Sequence, residues 1–151
     1  MKNIALALLL VLLSTPVSAY MLLPIDEVYD GDTIKTHVSE RKLPAPLNRL
    51  SIRIKGIDTP ELPAKSYFTT GKLGRADCDK EAKLALAAKE FVIFMATGFS
   101  KMKVEDFKWG KYGSRIVADV KIGGVDIASV LIAEGFAVPY DGGTKTKDWC
   151  L

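Results

Sequence analysis

Two stretches of this chain alternate apolar and polar residues, broken only by Val117 at an outward position of the second. Residues 50–55 read Leu-Ser-Ile-Arg-Ile-Lys, and residues 115–122 read Arg-Ile-Val-Ala-Asp-Val-Lys-Ile. Successive side chains of a strand point to opposite faces, so each stretch is expected to be a half-buried strand. The first would bury Leu50, Ile52 and Ile54 and present Ser51, Arg53 and Lys55. The second would bury Ile116, Ala118, Val120 and Ile122 and present Arg115, Val117, Asp119 and Lys121. The first ends near Asp58, because Pro60 has no N–H and biases Thr59 away from helix.

The rest of the chain is read around these two. Residues 22–38 predict two short strands about a tight Asp30-Gly31 turn, a strong hairpin signal. Residues 62–76 hold Pro63, Gly71 and Gly74 and read as a loop carrying Lys65, Lys72 and Arg75. From Asp79 to Thr97, Leu84, Ala88, Phe91, Val92 and Met95 recur at helical spacing, with Asp77 or Asp79 as the cap. Residues 101–107 give a fourth strand, the stretch around Gly110 a turn, and residues 126–135 a short helix closed by Gly135. Five short strands with a helix between the third and fourth predict an α+β chain built as a five-stranded Greek-key barrel of the OB type.

The N-terminus stands apart from this pattern. Lys2 precedes ten unbroken apolar residues, Ile4 to Leu13, and small residues follow at Val17-Ser18-Ala19. A charged start, an apolar middle and an A-x-A-like end form a signal peptide. The apolar run is shorter than the roughly 20 residues a membrane span needs. The expectation is therefore a leader at residues 1–19 and one domain at residues 20–151, exported to the periplasm or released, with no membrane attachment in the mature form and a monomer as the default. The formal net charge is only +3, and loss of the leader removes Lys2. Contacts to nucleic acid must then come from local placement of Lys and Arg rather than from overall charge. Cys78 and Cys150 allow one intrachain disulfide in an exported chain; two free thiols are the alternative.

Residues able to carry chemistry are few. The one histidine, His37, lies in a strand pattern facing outward, so a Ser-His-Asp triad or a zinc site has little to be built from. The metal ligands on offer are hard oxygens, suited to calcium or magnesium. Asp30 and Asp32 flank the hairpin turn, and Asp58 and Glu61 flank a strand end. Each pair alone is an ordinary turn or strand stop. Brought to one rim of a barrel, two carboxylates and a backbone carbonyl would hold one calcium ion. Arg53 and Arg115, both outward, would then face the charge that develops on a phosphoryl group.

Here the chain resembles the staphylococcal nuclease, or thermonuclease, family. The likeness is carried by "VYDGDTIK", "IRIKGIDTPE", "GKYGSRIVADV" and "LIAEGFAVPY", in family order from Val28 to Tyr140. The resemblance implies an OB-fold nuclease that cleaves DNA and RNA with little sequence preference and leaves 3′-phosphates. It implies that Asp32 and Asp58, with the carbonyl of Thr59, hold Ca²⁺. Glu61 would be the base or water-positioning residue, and Arg53 and Arg115 would bind phosphate and stabilise its transition state. Lys111 and Tyr112 would contact a terminal phosphate, Tyr140 would stack on a base, and Asp30 would sit beside the site without an assigned role.

Two departures stand out. The family turn reads "KYGR" where this chain reads "KYGSR", so Ser114 is inserted before Arg115, although the alternation that follows keeps Arg115 outward. The chain also stops soon after "PYDGGTKTKDWC", where a family member would continue into a third helix. A disulfide between Cys78 and Cys150 would pin this short tail in that helix's place. The other expectations are bland: Trp109 and Trp149 as packing residues, Phe91, Phe94 and Met95 as core, and lysines such as Lys145 as solvated surface. Two rivals to a nuclease remain in view. One is an OB-type nucleic-acid-binding module that is catalytically weak or inactive, and the other is a calcium-stapled structural domain.

Overall fold

The computed structural model describes residues 19–38, 48–111 and 113–151. The leader read at residues 1–19 falls outside these except for Ala19, and Tyr112 falls outside as well. The described strands are β1 (Tyr20–Pro24), β2 (Glu27–Asp30), β3 (Thr33–His37), β4 (Arg49–Ile54), β5 (Ile57–Asp58), β6 (Lys101–Trp109), β7 (Arg115–Ile122), β8 (Val125–Asp126) and β9 (Val138–Pro139). The helices are α1 (Tyr67–Thr70), α2 (Asp79–Ala96) and α3 (Ile127–Ala133).

The α+β class expected from the sequence holds. The five-stranded barrel does not describe the strands as they lie: seven strands form one sheet in the open order β1-β6-β7-β4-β3-β2, with β8 on β7, and β5 pairs with β9 in a second, two-stranded sheet. The extra strands have local causes. The first expected strand breaks at Ile25–Asp26, where pairing changes hands: Ile25 N–H donates to Ser100 O, whereas Asp26 N–H donates to Lys35 O. The third breaks at Gly56, whose φ of 82° turns the chain out of the strand before β5 begins. The fourth runs on to Trp109 through a bulge, with Asp106 at φ 43°.

Alternation places the core as expected. In β4 and β7 every second residue is buried, and Ile52, Ile54, Ala118, Val120 and Ile122 are among the most enclosed side chains. These join Ile34, Met102, Val104 and Leu131 in one cluster under α2, against which Phe91 and Met95 pack. Phe94 is an exception to the expected core: it faces solvent at 71% exposure, because it falls outside the stripe of Ala82, Ala85, Ala88 and Val92 that α2 buries. Trp109, expected to pack, is also exposed, while Trp149 is buried.

The α2 start differs in detail from the expectation. Its cap is Cys78, not Asp77 or Asp79: Cys78 has extended backbone, and its Sγ accepts the Glu81 N–H at 3.4 Å. Asp79 instead lies in the first turn, where a negative charge suits the helix dipole. The loop at residues 62–76 contains the single-turn α1, and α3 is capped by Asp126 and followed by Gly135 at φ 76°.

Candidate active site

The hairpin turn and the end of β5 meet because Gly31 leaves room for them. A Cβ on Gly31 would lie 3.0 Å from Ala88 Cβ on α2 and 3.1 Å from Thr59 Cγ2. Behind it, Asp32 N–H donates to Asp30 Oδ1 at 3.2 Å, the local bond typical of an Asp turn. The antiparallel register of β3 and β4 sets Thr33 opposite Arg53, so the Arg53 side chain runs beside Asp32. Its Nη1 lies 2.5 Å from Asp32 Oδ1. The same carboxylate accepts from Thr33 Oγ1 at 3.1 Å and from Thr59 Oγ1 at 2.8 Å. Asp32 is 1% exposed, so these partners replace water almost completely.

Asp58 enters from the other side, on β5 just beyond the Gly56 turn. It is 2% exposed, and its Oδ1 is buried without a directed hydrogen bond. Two cations approach that oxygen: Arg53 Nη2 at 3.6 Å and Lys145 Nζ at 2.7 Å, charge contacts rather than aligned hydrogen bonds. Glu61, after Pro60, sits between Lys145 at 2.8 Å and Arg75 at 3.2 Å. Its backbone N–H donates to Glu81 Oε1 at 3.0 Å, and Glu81 Oε2 accepts the Asp77 N–H at 2.6 Å. Arg75 also approaches Asp30 Oδ2, at 3.6 Å. Asp30, Asp32, Asp58 and Glu61 are thus linked through Arg53, Arg75 and Lys145 into one cluster.

Burial pushes the Asp32 carboxyl up to about 7; the charge of Arg53 and the Thr59 hydrogen bond oppose this, and nearby Asp30 adds to it. Burial also acts to raise Glu61, but the hydrogen bond from Lys145 and the charges of Lys145, Arg75 and Arg53 outweigh it and hold Glu61 below its ordinary 4.5. For Lys145 burial works downward, and the contacts with Asp58 and Glu61 outweigh it, so the ammonium is held above its ordinary 10.5.

Arg115 begins β7 and lies half-buried. The inserted Ser114 takes a left-handed conformation, φ 60°, and so absorbs the extra residue within the turn. Ser114 O accepts the Ser51 N–H and Arg115 O accepts the Gly110 N–H, both at 2.8 Å, which closes the turn with Arg115 in register. In the parallel β4–β7 pair Arg115 stands opposite Ser51 and Arg53 opposite Val117. The two arginines therefore share one face of neighbouring strands, two residues apart along the pair.

The expected substrate contacts are less tightly drawn in. Lys111 is exposed in the turn before Ser114. Tyr140 follows β9 and is half-buried; its N–H donates to Gly56 O at 2.8 Å and its hydroxyl to Gly143 O at 2.6 Å. Cys78 and Cys150 form a disulfide, and Trp149 packs beside it in the tail. His37 pairs with Asp26 at 2.8 Å on the surface.

Three participants escape sequence reasoning. Arg75 looks like loop charge, Lys145 like solvated surface, and Glu81 like an ordinary helix acid. Only Glu81 leaves a signal, since it stands three residues after Cys78 at the spacing of a capping box. Here its carboxylate reaches the N–H groups of Asp77 and Glu61 instead of that of Cys78.

Among the described residues no three His, Cys, Asp or Glu side chains converge as a ligand set. A cation here would rest on the two buried carboxylates, Asp32 and Asp58, the Thr59 carbonyl and water. That donor set is all hard oxygen, and Asp58 Oδ1 brings a buried acceptor without a directed hydrogen bond. An all-oxygen set suits calcium or magnesium better than zinc, which favours nitrogen and sulfur ligands. In comparisons with known proteins, the chain matches no family model and no curated protein.

Proposed function

We propose that this chain is a calcium-dependent nuclease that hydrolyses phosphodiester bonds of DNA and RNA with little sequence preference. The observation that carries the reading is Arg53 threaded between Asp32 and Asp58, with Lys145 bridging Asp58 to Glu61. Asp32 and Asp58, with the Thr59 carbonyl, would hold Ca²⁺, which when bound polarises a phosphoryl oxygen. Arg53 and Arg115 present guanidinium forks on one face, suited to two phosphate oxygens and to charge that grows in the transition state. Glu61 stays ionised at neutral pH. A carboxylate held below 4.5 is a weak proton acceptor, so its main work is to accept a hydrogen bond from the attacking water and aim it. Lys111, Tyr112 and Tyr140 are assigned to the substrate: phosphate for the first two, a base face for Tyr140.

The finer architecture belongs to the same proposal: a five-stranded OB-type barrel of the staphylococcal nuclease kind. Two features support it. β4 and β7 pair in parallel, and the two ends of the strand order, β1 and β2, are halves of one bent segment. Export through the leader, a 3′-phosphate product and a monomeric state complete the reading. A second reading, a nucleic-acid-binding module with little or no cleavage, draws on Lys145, whose charge is already shared between Asp58 and Glu61.

The test is cleavage of single-stranded DNA by purified protein in millimolar calcium against excess EDTA. Cleavage that EDTA stops is the expected result. DNA binding without cleavage in either condition would replace the nuclease by the binding module.

A further inference from the structure

Arg53 of the cluster comes from β4 and Arg75 from the loop at residues 62–76, whereas Lys145 comes from the C-terminal tail. It lies on an exposed run, residues 141–148, between two fixed points. At one end Val138 pairs with Asp58, and Tyr140 N–H donates to Gly56 O. At the other, Trp149 is buried and Cys150 is joined to Cys78, the cap of α2. Between them, the tight turn at Asp141–Gly143 directs the chain back across the cluster, with Gly143 N–H donating to Asp141 Oδ1 at 2.8 Å. The Lys145 side chain is 42% exposed and covers Asp58 from the solvent side.

We infer that the C-terminal tail is a strap that holds the Lys145 ammonium on Asp58 and Glu61 in competition with a divalent cation, and that the Cys78–Cys150 disulfide sets the strength of that competition. The inference rests on Asp58 being a cation ligand, as proposed above. Three observations carry it. Lys145 Nζ lies 2.7 Å from the same Asp58 oxygen that lacks a directed hydrogen bond. It reaches Glu61 at 2.8 Å, so a single charge is shared between two acids. The strap is fastened at both ends, which gives the ammonium a high effective concentration at the site; unfastening one end lowers it. A lysine is a single charge on a flexible stem, whereas a divalent cation gathers both carboxylates and a carbonyl, so the strap yields as the cation concentration rises.

The experiment is calorimetric titration of calcium into metal-stripped, oxidised protein, with no substrate present. Lys145→Gln lies on the exposed strap, and is expected to tighten calcium binding at least about fivefold, the lower end of coupling between linked sites. The double variant Cys78→Ser/Cys150→Ser is expected to tighten it as well, because serine keeps the α2 cap while the tether is lost. Adding Lys145→Gln to that background should gain less than it does in the tethered protein. Calcium binding that is equal or weaker in Lys145→Gln overturns the strap and leaves the cation assignment standing. Absence of calcium binding in every folded variant overturns both.

Discussion

Arg53, in β4, and Lys55, just past its end, stand two residues apart, yet they serve unlike clusters. Arg53 joins Asp32 and Asp58, which are almost wholly enclosed. Lys55 joins Asp106 and Asp119, the first with 78% of its side chain exposed. In sequence the two are the same thing, a basic residue at an outward position of an alternating strand. What separates them is where the acids come from. The partners of Lys55 lie on β6 and β7, on the open face of the sheet. Those of Arg53 come from a turn and a strand end that α2 and Gly31 press together. Charges in water balance one another at little consequence, whereas charges taken out of water must be matched by a fixed structure. The second situation is the one in which a phosphate or a cation can be recognised.

The sharpest way to break this comparison is to remove each base in turn. Arg53→Ala takes one partner from Asp32 and one from Asp58, and is expected to destabilise the fold by about 1–3 kcal/mol, the cost of leaving buried polar groups unsatisfied, since Asp32 can take up a proton and Lys145 stays on Asp58. Cleavage and nucleotide affinity should fall together. Lys55→Ala should stay within about 1 kcal/mol of wild type. Urea denaturation of the two variants decides the matter, and equal losses would mean that burial does not distinguish the clusters.

Glu61→Gln tests the functional half of the contrast. The amide keeps the shape of the side chain but not the charge to which the proposed mechanism assigns the orienting of water, and the expected fall in cleavage is about 10²-fold or more. Binding of single-stranded DNA, followed by fluorescence anisotropy, should persist. Full activity in this variant would remove Glu61 from the mechanism, even with the fold and the cation site intact.

Much of the candidate site was legible because it is local in sequence. Asp32 lies in the hairpin turn and Arg53 on the alternating strand, both marked by the sequence, and Asp58, Thr59 and Glu61 follow at that strand's end. The illegible parts arrive from elsewhere. Lys145 reaches Asp58 only through the route of the tail, Arg75 through the closure of its loop, and neither route leaves a period or a motif. The strand count failed for a related reason. Alternation marks which face a residue takes, but not where a strand bends, and the breaks at Ile25–Asp26 and Gly56 are bends. Phe94 and Trp109 show the limit of composition: an aromatic residue is placed by its face of the helix or strand, not by its hydrophobicity.

The turn at Ser114 lies beyond the Ser51 end of the β4–β7 pair and sets how Arg115 enters β7. A non-glycine residue at φ 60° carries strain of about 1 kcal/mol, which glycine relieves. Ser114→Gly is therefore expected to raise stability slightly, by at most about 1 kcal/mol, since glycine also loosens the unfolded chain. Cleavage should be unchanged, because Ser114 contributes its carbonyl to Ser51 and that bond remains. A loss of activity with normal stability would show that the turn must hold Arg115 rigidly.

The smallest effect belongs to the open face. Glu105 lies between Lys103 at 2.7 Å and Lys121 at 2.8 Å. The hydrogen bonds from these lysines, with their charges, hold its carboxyl below the ordinary 4.5. A carboxyl depressed in the folded state favours folding above its unfolded value, and that contribution disappears as the pH falls through the folded one. The Tm difference between wild type and Glu105→Gln should accordingly be small at pH 7 and close as the pH drops below 4.5. A difference that persists at lower pH would mean that packing, not charge, joins Glu105 to its lysines. The open face would then owe its order to the same cause as the enclosed cluster, and the contrast drawn from β4 would lose its physical basis.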